Sequence, residues 1–142
     1  MTFEYVPGIP LIHPYVDETN RGYWESLQNH VLSVQQCQNC GRRTHPPRPM
    51  CPQCMSTELG WTPAATMGVV HTWVTFTAPR SSYPGIKCPY AVAVVEMDDG
   101  IRIVANIVEM DPADITIGMP VEAVFMDVND ELTLVQFRKR EK

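Results

Sequence analysis

The sequence predicts a mainly β protein with one N-terminal helix, in which a metal-binding ribbon is followed by a small five-stranded barrel. Two Cys-x-x-Cys pairs, Cys37/Cys40 and Cys51/Cys54, stand ten residues apart. Short β-rich runs broken by turn residues fill the chain after Glu58. Thirteen prolines and eight glycines in 142 residues argue against a helical bundle, because both residue types disfavour helix interiors.

The length suffices for one ordinary domain or two small ones, and the expectation is not a large multidomain enzyme. With 44% apolar and 19% charged residues the chain can bury a core, which argues against wholesale disorder. No run approaches the ~20 apolar residues of a membrane-spanning helix, and no basic-then-apolar leader opens the chain. The expectation is a soluble, cytoplasmic protein. Its formal charge of −5 is unevenly spread. Residues 61–137 hold three bases (Arg80, Lys87, Arg102) against ten acids, whereas Arg42, Arg43 and Arg48 lie between the cysteine pairs. Tracking phosphates requires clustered Lys and Arg, so the β segment is ill suited to general nucleic-acid binding.

Along the chain, residues 1–16 (MTFEYVPGIPLIHPYV) carry prolines at 7, 10 and 14 between apolar residues and predict an extended arm that packs on its own domain or on a partner. Residues 17–36 predict an amphipathic helix and a lead-in strand. Tyr23, Trp24, Leu27 and Val31 fall at helical spacing from Asp17 to about His30, with Asp17 or Thr19 as N-cap. Gly22 weakens that helix by about 1 kcal/mol relative to alanine, so packing of the Trp24 face must hold it.

Residues 61–138 predict the barrel. Gly68–Ala78 alternates Val70, Val74 and Phe76 against Thr72, Thr75 and Thr77. Tyr90–Met97 and Ile101–Val108 flank Asp98-Asp99-Gly100, a hairpin signal with glycine at the left-handed position. Val121–Val128 and Leu132–Phe137 flank Asn129-Asp130, a second hairpin, and Asp111-Pro112 starts a helical turn between the hairpins. Five short strands with one helical interruption fit an oligonucleotide/oligosaccharide-binding (OB) fold, with a β-sandwich as the alternative. Residues 139–142 form a basic tail.

The cysteines at 37–60 carry the strongest motif. Each CxxC turn lets two thiolates converge on one ion while nearby amides bond to sulfur, and two facing knuckles make a zinc ribbon. Gly41, after the first pair, suits a tight turn. Paired disulfides and a thioredoxin-type redox site are the alternatives. Nothing in the sequence signals secretion, and no βαβ pattern adjoins the pairs. Four thiolates fill a tetrahedron, so one structural Zn²⁺ held by Cys37, Cys40, Cys51 and Cys54 is expected, and iron fits the same ligand set. Cys88 stands apart in the loop PRSSYPGIKCP with no base beside it. His13, His30, His45 and His71 are scattered, and no phosphate loop, dinucleotide fingerprint or GxSxG elbow occurs. No catalytic residue is expected.

The helix with YWESL, the ribbon CQNCGRRTHPPRPMCPQC and the β runs PYAVAVVEMDDG, IRIVANIV and IGMPVEAVF together resemble one family. It is the zinc-ribbon plus OB-fold family of acyl-CoA-associated proteins, catalogued as domain of unknown function thirty-five. The resemblance spans about residues 17–138. It implies a non-catalytic accessory subunit of a thiolase-superfamily enzyme, such as a sterol-carrier-protein-type thiolase or an aldolase/lyase on acyl-CoA thioesters, in lipid or sterol side-chain breakdown. It also implies a MaoC-like hydratase as a further partner, with the subunit positioning the CoA substrate or stabilising the complex. Arg42, Arg43, Arg48, Tyr83 and Lys87 are the candidate CoA or partner contacts, on charge and loop position alone. A single-stranded nucleic-acid module and a stand-alone acyl-CoA-binding protein are the rival readings.

Overall fold

The structure is a computed structural model that describes residues 13–78 and 85–141. Most of the expected N-terminal arm, residues 1–12, lies outside the described residues, as do Tyr83 and Lys142. His13–Val16 have no regular secondary structure. One helix, α1 (Arg21–Gln28), precedes eight strands: β1 (Ser33–Cys37), β2 (Arg43–Thr44), β3 (Leu59–Pro63), β4 (Met67–Phe76), β5 (Tyr90–Met97), β6 (Arg102–Val108), β7 (Pro120–Asp127) and β8 (Thr133–Lys139). The first three form an antiparallel sheet in the order β2-β1-β3, and the other five close into a barrel in the order β4-β5-β6-β8-β7. No helix among the described residues is long and apolar enough to cross a membrane.

The helix is shorter than its periodicity suggests. Asn20 is the N-cap, with no side-chain cap bond. Asp17 instead turns the chain before the helix, accepting from the amides of Thr19 and Asn20 at 2.9 and 3.1 Å. At the other end His30 adopts φ 57°, and the Val31 amide donates to the Ser26 carbonyl at 3.0 Å, a Schellman-type stop that leaves Val31 outside the helix. Tyr23 and Leu27 are buried in the barrel's own core, with Trp24 packed against it. Gly22 has a reason beyond propensity: a Cβ there would strike the Trp61 indole on β3.

Strand β4 departs from simple alternation. The register with β5 shifts between Val70 and Thr72, where a bulge inserts His71. Because side chains alternate with period two, one extra residue moves every later side chain to the opposite face. Val70 therefore faces the core, whereas Val74, expected on the same face, pairs with Val92 and is 57% exposed. Trp73 points inward opposite Ala93 instead. The two anticipated hairpins are β5–β6, with Gly100 at φ 88°, and β7–β8. The helical turn is a 3-10 turn at Pro112–Asp114, capped by Asp111, whose carboxylate accepts from the Ala113 amide at 3.0 Å. Parallel pairing of β6 with β8 at Ile107–Phe137 and Val108–Arg138 completes the barrel.

Ribbon and barrel are joined by specific polar contacts. The Arg43 guanidinium on β2 bridges Asp99 of the β5–β6 turn (3.1 Å) and the Pro63 carbonyl (2.8 Å). Asp99 also accepts from the Ala65 amide at 2.9 Å. Beside the helix, Asp127 accepts from Thr133 Oγ1 (2.6 Å) and pairs with His30 Nε2 (2.9 Å), whose ring stacks on Phe125. The Thr133 hydroxyl first, and His30 second, hold the Asp127 carboxyl below its usual range.

Two outcomes are expected. The Asp127 carboxyl is more acidic folded than unfolded, so its stabilisation is complete above about pH 4 and fades as pH falls through the lowered value. Asp127→Asn should lower Tm at pH 7, with the gap to the parent closing towards pH 3; a gap unchanged across that range contradicts the assignment. Gly22→Ala should destabilise in urea melts, despite an intrinsic helix gain of about 1 kcal/mol, because the new methyl displaces Trp61.

Candidate metal centre

Each knuckle is a tight backbone turn that aims two sulfurs the same way. In the first, the Gly41 amide donates to the Cys37 carbonyl at 3.0 Å and the Cys37 amide to the Arg42 carbonyl at 2.9 Å. The second repeats this pattern, with Met55 to Cys51 and Cys51 to Ser56 both at 2.9 Å. The turn needs a left-handed residue after its second cysteine. Gly41 fills that position with φ 80°, and Met55 fills its counterpart with φ 63°. A side chain at such an angle costs roughly 1–2 kcal/mol, and methionine has no polar group to offset it.

The four sulfurs of Cys37, Cys40, Cys51 and Cys54 all lie within 4.8 Å of one another. Cys37–Cys54 and Cys40–Cys51 are each 3.6 Å apart. Tetrahedral zinc with bonds of ~2.3 Å sets sulfurs about 3.8 Å apart, so the cysteines are positioned to bind one metal ion. Amides of Asn39 and Cys40 point at Cys37 Sγ (both 3.4 Å), and Asn39 Nδ2 points at Cys54 Sγ (3.5 Å). These donors favour thiolate over thiol. The Cys40 amide leads in lowering Cys37, the Cys54 amide in lowering Cys51, and the Asn39 side chain in lowering Cys54. Cys40 moves the other way, to about 11: the Arg42 amide lowers it, but burial and the three neighbouring sulfurs outweigh that.

Buried Gln35 of β1 supports the loop that joins the knuckles. Its side-chain amide donates to the Arg48 carbonyl at 2.8 Å and accepts from the Arg48 amide at 3.0 Å. This residue carried no motif; its one sequence signal is a polar side chain in the strand leading to Cys37. Among the arginine candidates, Arg43 is committed to Asp99. Arg42 and Arg48 are exposed, Arg42 reaching Gln53 Oε1 at 3.3 Å. Exposed Lys87 lies in the loop before β5, remote in sequence from the ribbon, and half-buried Cys88 is outside the sulfur cluster. His45 packs its ring 5.3 Å from Tyr23, and burial lowers its pKa.

A closed four-thiol ribbon packed on a five-stranded barrel defines a zinc-ribbon/OB-fold protein. The profile described as "ChsH2, rubredoxin-like zinc ribbon domain" matches residues 24–60, and "ChsH2, C-terminal OB-fold domain" matches residues 61–126. A "DUF35 domain-containing scaffold protein" of Methanocaldococcus jannaschii is 37% identical, the match covering 76% of this chain and 77% of that protein. The chain belongs to this ChsH2/DUF35 family. A "Probable enoyl-CoA hydratase alpha subunit" of Thermomonospora curvata is 36% identical over 88% of this chain. A "3-oxo-4,17-pregnadiene-20-carboxyl-CoA hydratase alpha subunit" of Mycobacterium tuberculosis is 30% identical over 84%. The chain spans only 39% and 38% of the lengths of those two relatives. Among solved structures, a chain of the "Ltp2-ChsH2(DUF35) aldolase" superposes with TM-score 0.83 at 35% identity, covering 89% of this chain and 98% of that one. A DUF35 protein from Sulfolobus solfataricus shares the fold, with TM-score 0.60 and 11% identity.

Elemental analysis of the purified protein should find one zinc per chain. Cys51→Ser should lose the ion and unfold the ribbon while the barrel's β circular dichroism persists. Acid should release zinc as protons compete for the thiolates; metal retained at pH 3 contradicts four-thiolate ligation.

Proposed function

We propose that this chain is a non-catalytic accessory subunit of a lipid-degradation complex. It holds one structural zinc ion through Cys37, Cys40, Cys51 and Cys54, and it binds a thiolase-superfamily enzyme acting on acyl-CoA thioesters. The likeness to the aldolase-associated chain, over 98% of that chain's length, carries this reading. Chemistry supports it. Four sulfurs leave the ion no open position for water or substrate. At the His30–Asp127 pair the Thr133 hydroxyl donates to Asp127 rather than to His30, so it is not poised as a nucleophile. An acyl-CoA thioester is long enough to need positioning surface beyond a catalytic pocket, and exposed Arg42, Arg48 and Lys87 are suitable contacts for its phosphates or for the enzyme. Tyr83 is proposed with them on loop position. Reduced thiols in the ribbon favour a cytoplasmic location.

A second reading, assembly with a MaoC-like hydratase, is favoured by the two relatives named as hydratase alpha subunits. Nucleic-acid binding is disfavoured by the ten acids and three bases of residues 61–137.

Tagged chain recovered from its native cells at moderate salt should bring down a thiolase-superfamily enzyme in stoichiometric amount. The recombinant pair should co-elute in gel filtration at micromolar concentration. Recovery of a hydratase alone selects the second reading. Separate elution, with neither protein altering the other's turnover, overturns the accessory-subunit reading.

A further inference from the structure

Strand β4 is paired on both sides only at its start. Met67–Val69 pair with β7, and just before β7 the Gly118 amide donates to the Val70 carbonyl at 2.8 Å and the Val70 amide to the Met119 carbonyl at 3.0 Å. From Thr72 to Phe76 the strand keeps β5 on one side, and no described residue bonds its backbone on the other. Thr72, Val74 and Thr75 are exposed there, as are His71 and Thr77 on either side. Such an edge is a template for another strand, and proteins ordinarily blunt it with brevity, charge or proline. Other edges among the described residues are blunted in that way: β2 has two residues and contains Arg43, β3 ends in Pro63 and β6 opens on Arg102. Gly68–Ala78 holds no charged residue and no proline, in a chain of net charge −5.

The bulge decides which groups face outward. Val70 aims its N–H and C=O at the β7 side, and the residue inserted at His71 reverses the alternation that follows. Thr72, Val74 and Phe76 therefore bond to β5, and Trp73 and Thr75 carry the outward N–H and C=O groups. These two residues are symmetric about Val74. A second copy of the strand, run antiparallel about a twofold axis at Val74, sets Trp73 of each copy opposite Thr75 of the other, and each such pair exchanges both hydrogen bonds. Val74 then meets its own counterpart as a non-hydrogen-bonded pair with Cα atoms about 4.5 Å apart. A valine that is 57% exposed in one chain is thereby partly covered in two. No like charges oppose one another along the contact. The chain's own N-terminal arm fits less well: Pro7 and Pro10 differ in parity, so in an extended strand one of them faces the edge without a donor. We infer that β4 is a homodimerisation edge, in which two copies pair antiparallel over residues 71–77 and join their barrels through one continuous sheet. This inference goes beyond the accessory-subunit reading and does not depend on it.

The test uses the zinc-loaded full chain by itself. Sedimentation equilibrium should show monomer and dimer exchanging with a Kd in the micromolar range. Val74→Lys places like charges at the twofold axis on a side chain that is exposed in the monomer, so it should keep its zinc and its Tm while weakening the dimer at least tenfold. Mixing it with Val74→Glu should restore a dimer made of one chain of each kind, a result that misfolding would not give. Thr75→Pro, which removes one outward N–H and none that bonds to β5, should weaken the dimer as well. In the unmodified protein, raising the concentration should slow hydrogen exchange at the Trp73 and Thr75 amides far more than at those of Thr72, Val74 and Phe76. A parent that stays monomeric at hundreds of micromolar overturns the inference, as does a dimer that Val74→Lys and Thr75→Pro both leave intact. Dimerisation only after residues 1–12 are removed assigns the edge to the chain's own arm, and protection of Trp73 and Thr75 only on adding another protein assigns it to that partner; either outcome overturns the second copy. None of these results bears on the accessory-subunit reading, whose own test is co-elution with an enzyme.

Discussion

Convergence of four sulfurs on one point is the constraint from which the ribbon's order follows. Between Gln38 and Gly60 Cys51 alone is buried, so apolar burial supplies almost nothing to hold those residues in place. Two 3.6 Å sulfur pairs and a set of amides aimed at sulfur do so instead, given a divalent cation to bind. Metal binding is then folding free energy for this part of the chain. The same closure removes the ion from chemistry, because a filled tetrahedron has no place for a reactant.

Order at the ion is carried to the barrel by covalent and polar continuity. Strand β1 ends at Cys37 and pairs along its length with β3, which leads directly into the barrel. Helix α1, which precedes β1, contributes Tyr23 and Leu27 to the barrel core. Arg43 and Asp99 lock the ribbon to the β5–β6 turn from the other side. Domain motion is the ordinary expectation when an interface is small; here a shared core and a half-buried ion pair oppose it.

Electrostatics divide the molecule. Four thiolates with one divalent cation carry a net −2, and the arginines between the cysteine pairs offset that field locally. On the barrel, basic residues cluster at the end of β8, where Arg138, Lys139 and Arg140 are consecutive. Two of its arginines are held in ion pairs, Arg102 with Glu96 and Arg138 with Glu122 and Glu109.

Much was legible in the sequence because the signals were local. A CxxC spacing, a glycine after it, an Asp-Pro helix start and an Asp-Gly turn each act within a few residues, and each appears in the structure. Residues whose roles depend on distant neighbours were not legible. Gly22 read as a weak point in a helix until Trp61 was found against it. Val74 read as core until a one-residue bulge in β4 turned it outward. Gln35 and Met55 carried no motif, since a hydrogen bond thirteen residues away and a left-handed angle leave no trace in hydropathy. The sequence by itself therefore determined the metal chemistry, the class of fold and the family resemblance, all functions of short-range spacing and alternation. Tertiary structure alone decided strand register, which face of each strand meets water, and how the ribbon is fixed to the barrel, because those depend on contacts between segments far apart in the chain.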